Sequence, residues 1–265
     1  MTKRNPRKSK NSDNLRSASP KSAPLSPEML WLYGIHTVLA ALRNPDRRIK
    51  RIVATKSAAD RFRNYLKGFE DLEIVNRDAI EDLLPPGAVH QGVALLATSP
   101  EQPAFVNLIH EVSGPACVVV LDQVNDPQNV GSIMRSAAAF GADALIVQDR
   151  HAPRVTGALA KTASGSLEII PMLRVPNLTR ALNTLKAASF WCIGLDGSAE
   201  TLLPDMRLDG RIALVMGAEN SGLRRLTRQG CDTLARLPTT EGFGTLNVAA
   251  AATVALYEAA RQRNT

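Results

Sequence analysis

From residue 114 onward the chain alternates short, unbroken runs of Val, Ile, Leu and Ala with longer stretches whose apolar residues recur at helical spacing. A strand with one face in water alternates apolar and polar residues, whereas a run with no polar residue, such as 116–121, has to be covered on both faces. Strands are therefore expected at 117–122, 144–148, 167–173, 191–195, 212–216 and 233–237, and helices at 129–140, 157–164, 177–188, 223–229 and 246–263. Strand and helix in that order imply an α/β fold, with a parallel sheet between two helical layers. In such a sheet the loops leaving the C-terminal ends of the strands gather ligand-binding groups along one edge.

The chain has 265 residues, 45% of them hydrophobic, enough for that core and a second unit. A smaller α/β unit is expected over 29–98: Tyr33-Gly34-Ile35-His36 hands over to a helix through Val38, Leu39 and Leu42, and strand-like segments follow at 51–54, 72–75 and 93–97. At about seventy residues it is near the lower limit for an independent core. Pro100, Gln102 and Pro103 mark a linker over 99–113, which leaves 114–265 as the second unit.

The net charge of +7 is unevenly placed: residues 1–27 carry seven basic side chains against Asp13 alone, so the remainder is close to neutral. A tail so poor in apolar residues cannot repay its ordering entropy, and 1–28 is expected to be disordered. It is either a solubilising extension or an arm that adds phosphate contacts. Cys117, Cys192 and Cys231 form no CxxC or Cys/His pattern, which points to a reducing, cytoplasmic setting and to no structural metal. No apolar run approaches the length needed to cross a bilayer, so no membrane partner is expected.

The loops lack several familiar devices. Asp122-Gln123-Val124-Asn125 stands where a dinucleotide fold has its glycines, and Leu223 and Arg224 replace the Lys and Ser/Thr of a Walker loop after Gly217 and Gly222. What remains is Asp126-Pro127-Gln128-Asn129-Val130-Gly131 with Arg135, then the loop Gly217-Ala218-Glu219-Asn220-Ser221-Gly222, then Leu246-Asn247-Val248. The second run is either a helix N-terminus capped by Glu219, Asn220 or Ser221, or a ligand loop with exposed amides. Arg135 is either a surface arginine or a guanidinium that grips a phosphate or oxyanion. Asn247 is a helix cap or a ligand to a polar substrate group.

In this order and spacing the three runs resemble the SpoU (TrmH-type) family of the SPOUT class of RNA methyltransferases, over residues 114–263. Tyr33-Gly34-Ile35-His36 and His90-Gln91-Gly92 look like the accessory RNA-binding domain of the members that methylate guanosine in large-subunit ribosomal RNA. The resemblance implies a C-terminal trefoil-knotted domain, an exception to the rule against threaded loops. It implies S-adenosylmethionine held by the knot loops, here through Leu195, Gly197, Met216, Gly217, Ala218, Gly222, Leu237 and Leu246. It also implies a homodimer packed through the knot region, with no metal, and methyl transfer to a ribose 2′-hydroxyl. Asn129, Arg135, Glu219, Asn247 and Thr245 would be the catalytic set. An ordinary arginine stays protonated, so Arg135 is read as a clamp on the adjacent phosphate and a stabiliser of the developing alkoxide. Arg47, Arg48, Lys50 and Arg51 suit RNA backbone contacts, or a solvated face. Three departures stand out: Thr245 and Ala249 where the family has serines, and Glu241 in a loop that is usually neutral. A tRNA substrate and a non-catalytic RNA-binding protein are the alternative readings.

Overall fold

A computed structural model of the chain describes residues 29–66, 72–219, 221–240 and 246–264. The basic tail lies outside them. The first unit comprises β1 (Met29–Tyr33), α1 (Ile35–Arg43), β2 (Ile49–Ala54), α2 (Lys56–Arg61), α3 (Arg63–Leu66), β3 (Leu72–Ile74), α4 (Arg77–Glu81) and β4 (Val93–Thr98). Its sheet runs β1-β4-β2-β3, antiparallel except for the parallel β2/β3 pair.

The stretch expected as a linker contains a helix, α5 (Phe105–Glu111). Ile109 is buried, and the Arg211 guanidinium donates to the carbonyls of Val112 (2.8 Å) and Ile109 (3.0 Å), so this segment is fastened to the second unit. There follow β5 (Ala116–Asp122), α6 (Pro127–Ala139), β6 (Ala144–Gln148), α7 (Gly157–Ala163), β7 (Met172–Val175), α8 (Leu178–Ala187), β8 (Trp191–Leu195), β9 (Arg211–Gly217), α9 (Arg225–Gly230), β10 (Thr233–Ala235) and α10 (Val248–Arg263). All five pairings of the sheet β10-β8-β9-β5-β6-β7 are parallel. Val119 and Leu121 of β5 face α6, α7 and α10, and Val118 and Val120 face α5 and α8, which is why the strands carry no polar alternation. Among the described residues no helix is long and apolar enough to cross a membrane.

Two expectations need correction. The strand expected at 167–173 begins only at Met172, because Ser166–Glu168 forms a 3-10 turn after Ser164 and Gly165 adopt left-handed backbone angles. Leu167 and Ile170, three residues apart, are buried by that turn rather than by a strand. The helix expected at 223–229 starts at Arg225, since Arg224 is held extended by the contacts described below.

The smaller unit does not close its own core. Leu32, Val38, Ile52 and Leu95 join Leu159, Ala163 and Met134 in one continuous cluster, so its sheet and α1 are completed by α7. A side chain at Gly157 would collide with the Trp31 carbonyl and the Tyr33 ring, and the glycine there lets β1 approach the start of α7. Thr37 Oγ1 donates to the Ala160 carbonyl (3.2 Å), and Lys161 Nζ to Gln91 Oε1 (2.7 Å), across the same seam.

Candidate active site

The chain runs outward from β5 through β6 to β7, then resumes on the other side of β5 with β8, β9 and β10. The strand order therefore reverses between β5 and β9, where an open sheet leaves a crevice at its C-terminal edge. Asp122 and Gly217 pair in register at that edge. Asp122 is fully buried; its carboxylate accepts from the Arg224 backbone N–H (2.9 Å) and Nε (2.6 Å), while Arg224 Nη2 donates to Gln148 Oε1 (2.8 Å). The loop after β9 is thereby stapled to the ends of β5 and β6. Sequence reading passed over this pair, although a lone acid closing an apolar strand was a visible signal.

Three side chains from distant segments meet above the crevice. Asn129 lies in the first turn of α6, which Pro127 opens and Asp126 caps through the Gln128 N–H (3.0 Å). Glu219 lies in the loop after β9, and Asn247 is the N-cap of α10. Asn129 Nδ2 donates to Glu219 Oε1 (3.1 Å); Asn247 Nδ2 donates to Glu219 Oε1 (2.6 Å) and Asn129 Oδ1 (3.1 Å). The Asn247 amide is oriented from below, since its Oδ1 accepts from the N–H groups of Ala249 (2.8 Å) and Ala250 (3.2 Å). The cap reading of Asn247 thus holds, and the nitrogen end of the same amide joins the trio. The helix-cap reading of 217–222 does not hold: α9 begins beyond Arg224 and has no side-chain cap. Ala249, one of the departures, packs into the core with its N–H satisfied by Asn247, so the missing hydroxyl leaves the cap intact.

Arg135 stands apart from this trio. It is exposed, six residues beyond Asn129 on α6, and makes no hydrogen bond or ion pair among the described residues. Ser136, beside it, shares a 2.7 Å hydrogen bond with Thr253 of α10, and the adjoining outward face of α10 exposes Ala250, Val254 (43%) and Tyr257 (54%). Thr245, Glu241 and Asn220 lie outside the described residues.

The expected cofactor loops converge on the same edge. Asp196 N–H donates to the Ala235 carbonyl (2.9 Å), and Leu203 N–H to the Arg236 carbonyl (2.9 Å), so the segment after β8 is laced to the one after β10. Asp196 Oδ1 accepts from Ser198 Oγ (2.6 Å) and N–H (2.9 Å); that hydroxyl, aided by Arg228, holds the carboxyl below its usual range despite desolvation. A Cβ on Gly217 would strike the backbone of Gly222 and Leu223, so the loop doubles back only with glycine there; Gly222 sits at φ +62 and donates to the Ala218 carbonyl (2.8 Å). The space beside Gly197 is open, Leu195 and Leu237 are half-buried, and Leu246 is exposed. Met216 is buried in the core, so only its backbone is available to a ligand. Backbone groups flanked by apolar side chains fit a nucleoside-bearing cofactor held mainly by main-chain contacts. Among the described residues no cluster of His, Cys, Asp or Glu could hold a metal ion.

The expected RNA-binding run splits. Arg47 is a correction: its side chain is 1% exposed and Nη2 lies 3.2 Å from Glu168 Oε1, whose other oxygen accepts from Asn44 Nδ2 (2.8 Å). Its guanidinium is therefore spent inside the seam between the units, where burial pulls its pKa down against the pull of Glu168. Arg48 and Lys50 are exposed, with Arg48 3.5 Å from Glu101, and Arg51 is committed to a two-pronged pair with Glu73 (2.7 and 2.8 Å).

Comparison with known proteins agrees with this fold. Residues 116–257 match the model of the SpoU rRNA Methylase family, and residues 31–103 that for RNA 2'-O ribose methyltransferase substrate binding. The chain is 36% identical to the 23S rRNA (guanosine-2'-O-)-methyltransferase RlmB of Xylella fastidiosa (strain 9a5c), over 88% of this chain and 96% of that protein. It is 35% identical to the protein of the same name from Escherichia coli (strain K12), over 88% and 98%. Among solved structures it is similar to the SpoU methyltransferase AviRb from Streptomyces viridochromogenes in complex with AdoMet, with a TM-score of 0.76, 26% identity and coverage of 89% and 91%. With more than half of its length matched by the family model and most of it by these relatives, the chain belongs to the SpoU rRNA methylase family.

Proposed function

We propose that this protein transfers a methyl group from S-adenosylmethionine to the ribose 2′-hydroxyl of a guanosine in 23S ribosomal RNA. The observation that carries the reading is the bonded trio of Asn129, Glu219 and Asn247 over the β5/β9 crevice, beside loops that fit the cofactor. Relatives matching nearly the whole chain bear that activity in their names.

Bound to the loops at 195–197, 216–222 and 237–246, S-adenosylmethionine would supply an already activated sulfonium methyl. The chain's own residues then have to place a 2′-oxygen in line and ease the loss of its proton. Asn129 and Asn247 fix the Glu219 carboxylate, whose second oxygen is left to accept from a hydroxyl or amine of the nucleotide. Arg135 clamps the neighbouring phosphate and stabilises the alkoxide as it develops; the proton leaves to phosphate or water.

Arg135 does not touch the trio in its own chain, and it flanks the exposed apolar face of α10. Both features support a homodimer packed through the α6/α10 face, in the knot region, with each Arg135 reaching a site completed by the partner. Free thiols and an RNA substrate suit a cytoplasmic location. The test is tritiated methyl transfer to ribosomal RNA and tRNA from cells lacking this gene, with the labelled ribose mapped. Label at a 2′-oxygen in 23S RNA supports the reading; label in tRNA alone overturns the substrate.

A further inference from the structure

Outside the trio and the cofactor loops, a cleft of about 810 Å³ opens between the connector and the sheet edge, with Ser99, Pro100 and Gln102 on one wall and Arg150, Arg154 and Arg174 on the other. Met172 and Leu173 of β7 lie behind it with their side chains buried, and Asp149 is the sole acid in the lining. Arg174 is spent on the turn itself: it pairs with the Asp149 carboxylate (3.5 Å) and donates to the carbonyls of Asp149 and Pro153. That turn presents Arg150 and Arg154 to solvent, and Arg150 has no acidic partner among the described residues.

The turn follows β6, so it lies on the same edge as the crevice. Gln148 accepts from Arg224, and the amide of Asn125, four residues before Asn129, faces the His151 carbonyl in the orientation that satisfies it. The adjoining groove, which shares Pro100 and Gln102, carries Asp46, Glu101 and Glu168 against Arg47 and Arg48, both already paired. An anionic strand would be repelled there and attracted into the arginine cleft.

We propose that this cleft is a second RNA-binding surface, on the methyltransferase unit, holding the phosphates of a single strand that flanks the target nucleotide through Arg150 and Arg154. The inference rests on RNA being the substrate. A strand must be unstacked for its ribose to enter the crevice, and guanidinium contacts to its phosphates hold it there whatever the flanking sequence.

The test is filter binding of an in vitro transcribed 23S RNA fragment to the wild-type chain, Arg150→Ala, Arg154→Ala and the double variant across a salt series, with S-adenosylmethionine binding and circular dichroism as controls on folding. Each alanine is expected to lower the slope of log affinity against log salt by about 0.7 and to raise Kd for RNA about tenfold. S-adenosylmethionine affinity stays unchanged, and Arg150→Lys keeps the wild-type slope. Slopes and Kd equal to wild type in a folded Arg150→Ala protein overturn the proposal. If the wild type binds RNA but methylates none, a lowered slope still upholds the cleft while the methyl-transfer reading falls. If it binds no RNA, both fall.

Discussion

Asn247 uses both ends of one amide, the oxygen to cap α10 and the nitrogen to hold Glu219, and the two uses separate by substitution. Aspartate caps a helix as well as asparagine does, so Asn247→Asp is expected to keep folding stability within about 1 kcal/mol. It also sets a carboxylate where an N–H now lies 2.6 Å from Glu219 Oε1, and methyl transfer should fall on the order of 10²-fold through that repulsion. Thermal unfolding and single-turnover transfer check the pair of outcomes; an unchanged rate would remove the trio from the mechanism. Arg135→Ala should lower turnover by about 10²–10³-fold with cofactor affinity intact, read by calorimetry beside the assay. Burial pushes the thiols of Cys117, Cys192 and Cys231 up to about 12. A raised thiol pKa means the protonated, unreactive form at neutral pH, so iodoacetamide should leave the activity of the folded chain intact and label it only after unfolding. At this scale the sequence marked Asn129, Glu219 and Asn247 by residue type and loop position. It could mark Asp122 as a lone acid closing an apolar strand but not its pairing with Arg224, because partners 102 residues apart share no local pattern.

Among the elements, α6 and α10 carry Asn129, Arg135 and Asn247 and also present the exposed face through which the proposed dimer would pack. Phe140, the C-cap of α6, meets Tyr257 edge-on at 6.0 Å between ring centroids, and Val254 and Tyr257 project outward beyond that contact. A charge placed on this face should not disturb the core beneath it. Val254→Arg is expected to give a folded monomer with little methyl transfer, checked by light scattering and circular dichroism; a fully active monomer would sink the shared-site reading. Helix periodicity identified both elements; α6 starts two residues earlier than expected, at Pro127 behind the Asp126 cap, and α10 two later, behind the Asn247 cap. Asp122 holds Arg224 extended and delays α9, and the left-handed Ser164 and Gly165 turn the chain so that 166–168 packs against α1 instead of joining the sheet.

Across the whole molecule, the seam between the units is closed by apolar packing and by the buried charge pair of Arg47 with Glu168, whose side chains are 1% and 5% exposed. Removing one partner strands the other charge, so Glu168→Gln is expected to cost about 3–5 kcal/mol, while Arg47→Met with Glu168→Leu should be neutral or stabilising. Chemical denaturation of the three proteins measures both. The sequence by itself determined the α/β class, the parallel sheet, the order of elements and the three loops that bear polar groups, since burial on two faces and helical spacing are written into consecutive residues. Only the tertiary structure decided which of those groups meet. It turned Arg47 inward, left Arg135 outward and gathered Arg150, Arg154 and Arg174 on one wall, because a side chain's partner is set by how distant segments pack, and that depends on the whole core at once.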